Sequence, residues 1–280
     1  MSELTLLCVH PHPDDEAISC GGVLARSAEE GIRTHVVTCT GGEAGENLAG
    51  IDLGGRDLPS ARREEMAAAA AALGLSGHVW LGFRDSGMAG TPENEHPDAF
   101  VQVDLYVAAA RLARIIRDLR PQVIVSDDEN GTYGHPDHIQ AHRVTTRAVA
   151  LAADPWWETG QAPWQVAKRY VHTLSRSRVW TFHVFLREHG LVSPFGDATG
   201  PDDLPFGVAD GHVTTTVDVS RWLDKKEAAM LAHASQIAAE SYFLNVPEDL
   251  AEAGFGVEQF VLEGADPAAV QETDLFAGLR

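Results

Sequence analysis

Two histidines, two aspartates and a glutamate lie within the seven residues from His10 to Glu16, in the stretch CVHPHPDDEA. Imidazoles and carboxylates are ligands of catalytic metals, and a carboxylate outside the ligand set can serve as a general base. Because charged side chains are rarely buried without a reason, such a concentration predicts a metal-dependent active site. The tripeptide His-Pro-Asp recurs at residues 96–98 and 135–137, and the copies need not share a role.

Three side chains in and beyond this stretch could bind one metal ion: His12, Asp15 and His138. His12 and Asp15 are three residues apart in a tight loop, and His138 stands about one turn into a predicted helix that begins beside that loop. Two nitrogens and one oxygen leave a coordination position open, as catalytic zinc requires, and iron(II) suits the same donors. Asp14 would then point elsewhere and act as a base on a water activated by the metal.

A hydrolytic metal site also needs an acid or an oxyanion donor opposite the metal. His135 and Tyr133, in the stretch TYGHPDH, are the candidates for these roles. Plainer alternatives stay open, since His135 could cap the following helix and Tyr133 could pack its loop. Glu16 and Asp137 could orient the metal ligands without binding the metal themselves, as carboxylates do around metal-bound histidines.

Other histidines in the sequence are expected to have structural roles. His10 is expected to pack under the site or to bond to a carboxylate. His142 has the spacing of a zinc-binding helix pair relative to the distal ligand, yet a fourth protein ligand would close the site, so we expect packing. The His-Pro-Asp copy at residues 96–98 lies in an acidic loop and is interpreted as a helix entry, that is, as the start of a helix with a structural role. Whether His233 or Gln236, in the stretch LAHASQI, reach the substrate rim stays open.

The elements that must position these residues alternate between strand and helix. Apolar runs predict buried strands over 4–10, 33–40, 78–83 and 122–128. The segments that follow them predict helices over 20–32, within 58–75 (with Ser60 as N-cap and an end at Gly74), over 103–120 and over 136–153. This alternation predicts an α/β fold with an open, mostly parallel sheet. In such sheets, ligands bind outside the carboxyl ends of the strands, where the four polar loops of this sequence fall.

After residue 154 the pattern loosens. A strand is predicted near KRYVHTLS, a loop or lid over 190–211, a strand over 212–220 and a helix over 221–237. We therefore predict a metal-site domain over residues 1–154 and a C-terminal subdomain over 155–280. The subdomain is expected to pack on the same core and to form part of the substrate pocket.

Composition excludes several classes of partner. The net charge of −20 argues against nucleic acid and anionic membrane surfaces, which attract basic patches. No apolar run approaches the roughly 20 residues that span a bilayer, and the apolar N-terminal run is interpreted as a strand rather than a signal peptide. The three cysteines fit neither a disulfide framework nor a zinc ribbon. We expect a cytoplasmic protein with a small-molecule substrate, and the sequence leaves its oligomeric state open.

Four motifs in order resemble those of the LmbE/PIG-L family of zinc-dependent de-N-acetylases. They are HPDDE after the first strand, TCTGGEAGE after the second, GFRDSGMAGT after the third and DENGTYGHPDHIQAH after the fourth. The nearest resemblance is to the mycothiol branch, which holds a deacetylase of N-acetylglucosaminyl-inositol and an amidase of mycothiol S-conjugates. The resemblance covers residues 4–150, and AHASQI and ETDLFAGL extend it towards the C-terminus.

This resemblance implies a Rossmann-like fold with helices on both faces of the sheet and assigns roles to individual residues. It implies one Zn²⁺ held by the three ligands named above, with Asp14 as the general base. It implies that His135 and Tyr133 assist the tetrahedral intermediate and the leaving amine. It further implies that Arg62 and Asp85 hold sugar hydroxyls of an amino-sugar substrate.

The function expected from the resemblance is hydrolysis of the acetamide of an N-acetylglucosaminyl small molecule, most like N-acetylglucosaminyl-inositol. Ser19 stands where the amidase resemblance would place a lysine, so it favours the deacetylase and is a candidate substrate contact. The stretch VAKRYVHTLSRSRVWTFHVFLREHG looks more like the amidase. The S-conjugate amidase, or a deacetylase of another N-acetylglucosaminyl natural product, therefore stays as an alternative. A non-catalytic metal-binding module is disfavoured by Asp14, and a nicotinamide enzyme by the missing G-x-G-x-x-G.

Overall fold

The computed structural model describes residues 3–280, apart from the side chains of residues 248–250 and 253. Its strands are β1 (Thr5–His10), β2 (Arg33–Thr40), β3 (Gly77–Phe83), β4 (Val123–Ser126), β5 (Lys168–Thr173), β6 (Thr215–Asp218) and β7 (Val257–Leu262). Its helices are α1 (Asp15–Glu29), α2 (Leu58–Leu73), α3 (Leu105–Leu119), α4 (Gly131–Gly134), α5 (Pro136–Ala153), α6 (Arg176–Glu188), α7 (Leu223–Ala232) and α8 (Glu248–Phe255).

The seven strands form one sheet in the order β3-β2-β1-β4-β5-β7-β6. The five strands from β3 to β5 pair in parallel, whereas β7 runs antiparallel to both β5 and β6. Parallel neighbours require crossover connections, and helices supply them between the first strands. The predicted α/β class with a mostly parallel sheet is confirmed.

Both faces of the sheet are covered, which explains why the central strands are continuously apolar. Alternate residues of β1 enter two separate cores. Leu6 and Cys8 join the core built with α1, α2 and α7, and Leu7 and Val9 join the core built with α3 and α5. Because successive side chains of a strand point to opposite faces, β1 is buried on both sides and its polar end is fixed at the sheet edge.

Three predicted boundaries are wrong by several residues. Helix α1 begins at Asp15 rather than at residue 20, directly at the polar stretch. Asp57, not Ser60, caps α2, and its carboxylate accepts the backbone N–H of Ser60 at 2.9 Å. The helix predicted to reach residue 237 ends at Ala232.

The C-terminal half contributes elements for which the sequence pattern gave no prediction: α6, α8 and β7. Strand β7 extends the sheet by joining β5 to β6. The segment from residue 155 onward thus shares the sheet of the first half, and the division at residue 154 stays a prediction. Within residues 3–280, no helix is long and apolar enough to cross a bilayer.

Candidate active site

The loops that follow the parallel strands surround a cavity of about 700 Å³ at the carboxyl edge of the sheet. Every candidate site residue from the sequence lines this cavity: His12, Asp14, Asp15, Ser19, Arg62, Asp85, Tyr133, His135 and His138. They come from the segments that follow β1, β3 and β4 and from the first two turns of α1, α2 and α5. The topology therefore gathers side chains that are up to 126 positions apart in the sequence.

Asp15 stands between the two histidines of the predicted ligand set. Its Oδ2 lies 3.5 Å from Nδ1 of His12 and 3.6 Å from Nε2 of His138. Nε2 of His138 is buried and has no hydrogen-bond partner. The donor atoms of His12, His135 and His138 also lie within 4.8 Å of one another. An unpaired buried imidazole nitrogen facing a carboxylate fits a bound divalent cation.

Carboxylates hold the other nitrogen of each histidine. Nε2 of His12 lies 3.3 Å from Oδ2 of Asp137, and Nδ1 of His138 lies 2.7 Å from Oδ1 of Asp127. Metal-binding histidines usually donate their second ring N–H in this way, which fixes the tautomer and raises the basicity of the coordinating nitrogen. The arrangement leaves Nδ1 of His12 and Nε2 of His138 as the nitrogens that could bind a metal ion.

Two adjacent carboxylates differ in their electrostatics. Burial raises the pKa of Asp14 to about 6, although the charge of Arg62 opposes the rise. Burial by itself would also raise the pKa of Asp15, but the charge of His138 and a hydrogen bond from His12 hold it below its ordinary value. Environments that push the pKa values of two carboxyl groups apart separate an anionic ligand from a group that can exchange a proton.

His135 both caps a helix and faces the cavity. Its Nδ1 accepts the backbone N–H of Asp137 at 3.1 Å, at the start of α5. Its ring centroid lies 4.7 Å from that of His12 and 5.3 Å from that of His138. Burial lowers the pKa of His135 to about 4. Because Nδ1 accepts, a neutral His135 carries its proton on Nε2 and can donate it into the cavity.

Tyr133 lies on a strained turn at the cavity mouth. The preceding residue, Thr132, has a φ of 61°, which L residues adopt rarely. The Tyr133 ring lies 5.3 Å from the His138 ring and is 53% exposed. The phenol is thus accessible from the cavity and close to the predicted ligand set.

Arg62 and Asp85 line the cavity but are engaged with the protein. Arg62 is buried and donates to the carbonyl oxygens of Pro13 and Gly42 at 2.7 and 3.3 Å. The neighbouring Arg63 points outward over the ring of Trp80. The two carboxylate oxygens of Asp85 accept backbone N–H groups of the adjacent loops at 2.8 and 3.2 Å.

Sequence reasoning missed Asp127 and His172. Nε2 of His172 lies 3.0 Å from the same Oδ1 of Asp127 that pairs with His138. The position of Asp127 directly after β4 was a signal for its role, whereas nothing marked His172 within its strand. His10 lies beside them, fully buried, with its ring 5.8 Å from that of His172 and both ring nitrogens unpaired.

Three further histidines that the sequence analysis singled out lie outside the predicted ligand set. His142 is half-buried, with Nδ1 3.0 Å from the backbone oxygen of Asp127, in agreement with a packing role. His96 follows the short 3-10 helix Pro92–Glu95, so the interpretation of this copy as a helix entry is wrong, and its Nδ1 accepts the backbone N–H of Asp98. Of the two residues considered for the cavity rim, Gln236 lines the cavity, whereas His233 is fully buried with Nε2 2.6 Å from Oε1 of Glu16.

The opposite wall of the cavity is aromatic. It is formed by α6, α8 and the loop between α6 and β6, and its phenylalanines are Phe182, Phe185, Phe195, Phe206 and Phe255. Their rings pack in pairs, with centroids 5.4 Å apart for Phe182 and Phe255 and for Phe195 and Phe206. The cavity is thus polar at the sheet edge and apolar towards the C-terminal half.

Comparison with known proteins relates this site to a family of hydrolases. The family described as PIG-L: GlcNAc-PI de-N-acetylase matches residues 7–149. A protein of Acidothermus cellulolyticus named 1D-myo-inositol 2-acetamido-2-deoxy-alpha-D-glucopyranoside deacetylase is 46% identical over 98% of this chain and 95% of its own. A protein of the same name from Thermobispora bispora is 43% identical over 100% of both chains.

Solved structures share the fold. A conserved protein of Thermus thermophilus superposes with a TM-score of 0.58 at 28% identity, over 93% of this chain and 94% of its own. The N,N'-diacetylchitobiose deacetylase of Pyrococcus horikoshii gives a TM-score of 0.60 at 20% identity, over 95% and 85%. With its motifs, its fold and full-length relatives in agreement, this chain belongs to the PIG-L family of de-N-acetylases.

Proposed function

We propose that the protein hydrolyses the acetamide of N-acetylglucosaminyl-inositol and releases acetate and the free amine. The observation that carries the proposal is the position of Asp14, a carboxylate that is next to Asp15 in the chain and lines the same cavity as the His12–Asp15–His138 set. A pure metal-binding site does not need that extra carboxylate. The names of the full-length relatives supply the substrate class.

We propose one Zn²⁺ per chain, bound by Nδ1 of His12, a carboxylate oxygen of Asp15 and Nε2 of His138; Fe²⁺ suits the same donors. When bound, the cation would supply Lewis-acid chemistry and acidify a water molecule. The orphan Nε2 of His138 and the carboxylates behind both histidines support this assignment.

The protein's own groups would move the protons. Asp14 takes a proton from the attacking water, and burial, which raises the pKa of this carboxyl, makes it a stronger proton acceptor than an exposed aspartate. His135 donates its Nε2 proton in a hydrogen bond to the oxyanion that forms at the acetamide carbonyl, and Tyr133 is the second donor. As the C–N bond breaks, the proton held by Asp14 passes to the departing sugar amine.

We also propose substrate contacts on the cavity wall. Ser19 faces the cavity from the second turn of α1, and Arg62 and Asp85 complete the polar wall. Both Arg62 and Asp85 are already anchored by backbone groups, so they would present fixed rather than mobile groups to the sugar hydroxyls. Rigid polar groups of this kind orient a substrate at little entropic cost.

A second candidate function is cleavage of the amide of a larger, thiol-linked conjugate, and the aromatic wall favours it. A sugar joined to inositol is polar throughout, whereas the phenylalanines of α6 and α8 would bury an apolar group.

The three free, buried cysteines support a cytoplasmic location for either activity.

A substrate panel tests the proposal. The zinc-loaded protein is assayed for amine release from N-acetylglucosaminyl-inositol, from free N-acetylglucosamine and from a bimane conjugate of the thiol. We expect kcat/KM to be highest for N-acetylglucosaminyl-inositol. A higher value for the bimane conjugate would favour the amidase instead, and no amine release from any of the three would refute both functions.

A further inference from the structure

Asp14, the proposed base, has an unusual backbone conformation. Asp14 has a φ of 130° and a ψ of −30°, in a region that residues other than glycine adopt only under constraint from their surroundings. Its carbonyl oxygen accepts the N–H groups of Ala17 and Ile18 at 3.0 and 3.1 Å, which starts α1. The side-chain direction of Asp14 therefore depends on whatever keeps this backbone in place.

Two buried groups of opposite charge hold the peptide group between Pro13 and Asp14 from its two ends. Nη2 of Arg62 donates to the carbonyl oxygen of Pro13 at 2.7 Å. Oε2 of Glu16 accepts the N–H of Asp14 at 3.0 Å. Hydrogen bonds that involve a charged partner are shorter and stronger than neutral ones, and here both act on a single peptide group. The guanidinium and the carboxylate thus fix the orientation of the peptide plane.

Glu16 in turn is fixed by a histidine from the C-terminal half of the chain. Nε2 of His233 lies 2.6 Å from Oε1 of Glu16, and both side chains are fully buried. His233 follows the last residue of α7, and its carbonyl oxygen accepts the N–H groups of Gln236 and Ile237 at 2.9 Å. Without His233, Glu16 would be a buried charge with no partner, which destabilises the folded protein, and its carboxylate would reorient.

We propose that His233 is a positioning residue for the reaction. It holds Glu16, Glu16 holds the N–H of Asp14, and Asp14 thereby keeps its carboxylate directed into the cavity beside the ligand set. This inference rests on the proposed role of Asp14 as the base. It gives the stretch LAHASQI a function at the site even though His233 does not touch the cavity.

The test compares two substitutions of His233 in the metal-loaded enzyme. His233→Met removes the donor at similar volume, whereas His233→Gln keeps an N–H donor near the position of Nε2. Tyr170→Phe is the matched control, because it removes the buried hydroxyl that donates to Glu272 at 2.6 Å outside the cavity. For each variant we would measure kcat, KM, metal content and thermal stability.

A positioning role for His233 predicts that His233→Met lowers kcat roughly 10- to 100-fold, the scale of a small misplacement of a reacting group. KM and metal content stay within about twofold of wild type, and His233→Gln recovers most of the lost kcat. In an Asp14→Asn background, His233→Met should change the residual rate little, since the two substitutions act on one step.

The proposal would be overturned if His233→Met and Tyr170→Phe lost kcat equally at an equal loss of stability. It would also be overturned if His233→Met changed only KM or only the metal content. If His233→Met does not fold, Glu16→Gln serves instead, with the same expected pattern. An Asp14→Asn enzyme that keeps full activity would instead refute the proposed base. Loss of activity in Asp14→Asn with wild-type kcat in His233→Met would refute only the positioning role.

Discussion

Nδ1 of His138 lies 2.7 Å from Oδ1 of Asp127, a carboxylate with no exposed surface. That contact directs the opposite nitrogen of His138 towards Asp15. The same Asp127 oxygen also accepts from His172, so one carboxylate at the end of β4 organises two histidines from neighbouring elements. The order of the proposed metal site therefore depends on a residue that is not itself one of the proposed ligands.

Replacing Asp127 with Asn should weaken metal binding about 10- to 100-fold, the usual cost of losing a carboxylate behind a histidine ligand. The amide cannot accept from both histidines with the strength of a carboxylate. Metal affinity would be measured by competition with a chromogenic chelator. Asp224→Asn, an exposed carboxylate on α7, is the control, and equal affinities in the two variants would contradict this role for Asp127.

His135→Asn should separate the two roles of His135. Asparagine is a good N-cap, so the start of α5 and the melting temperature should stay close to wild type. The shorter side chain cannot reach the cavity as the imidazole does, and kcat should fall roughly 100- to 1000-fold, as for other lost oxyanion donors. The prediction fails if His135→Asn keeps kcat, or if its kcat falls only in proportion to its folded fraction.

Metal removal should abolish activity and lower stability together. Dialysis against dipicolinate should eliminate amine release, and added Zn²⁺ should restore it. Because the cation binds the folded state, Zn²⁺ at 100 times its Kd should raise the unfolding free energy by about 2.7 kcal/mol. His138→Gln should lose this increase and His142→Gln should keep it, because His142 bonds to a backbone oxygen instead. The reverse order would place the ligand at His142.

Arg62→Lys should lower kcat more than it raises KM. A lysine cannot reach both carbonyl oxygens that the guanidinium bonds, so the peptide before Asp14 loses its anchor. We expect a loss of about 1–3 kcal/mol in unfolding free energy as well. Arg63→Lys, which changes an exposed arginine stacked on Trp80, is the control. A pure rise in KM would favour a role of Arg62 in substrate binding alone.

The cluster of candidate metal ligands could be predicted from the sequence because its residues lie in short motifs at strand ends. His12 and Asp15 are neighbours in the chain, and parallel topology brings His138 to the same edge. The supporting groups could not be anticipated as easily. Asp127 and His172 meet only through the pairing of β4 with β5, and no local pattern encodes that contact.

The same limit explains the errors in the C-terminal half. His233 reaches Glu16 across 217 positions of sequence, a separation at which neither propensity nor periodicity carries information. Helix α6 has an apolar face that lines a cavity, not a core, so its pattern is weak. Asp57 and Ser60 are both good N-cap residues, and the helix begins at Leu58, with Pro59 in its first turn and Asp57 as its cap.

The most direct test of the account is to replace Asp14 with Asn and to measure metal content and amine release on the same preparation. The asparagine keeps the volume and much of the polarity of the side chain but cannot take a proton from water. We predict a full equivalent of bound metal and a loss of kcat of about 100- to 10,000-fold, the usual range for a general base. Retained metal with unchanged kcat would contradict the central claim that Asp14 is the base of this site.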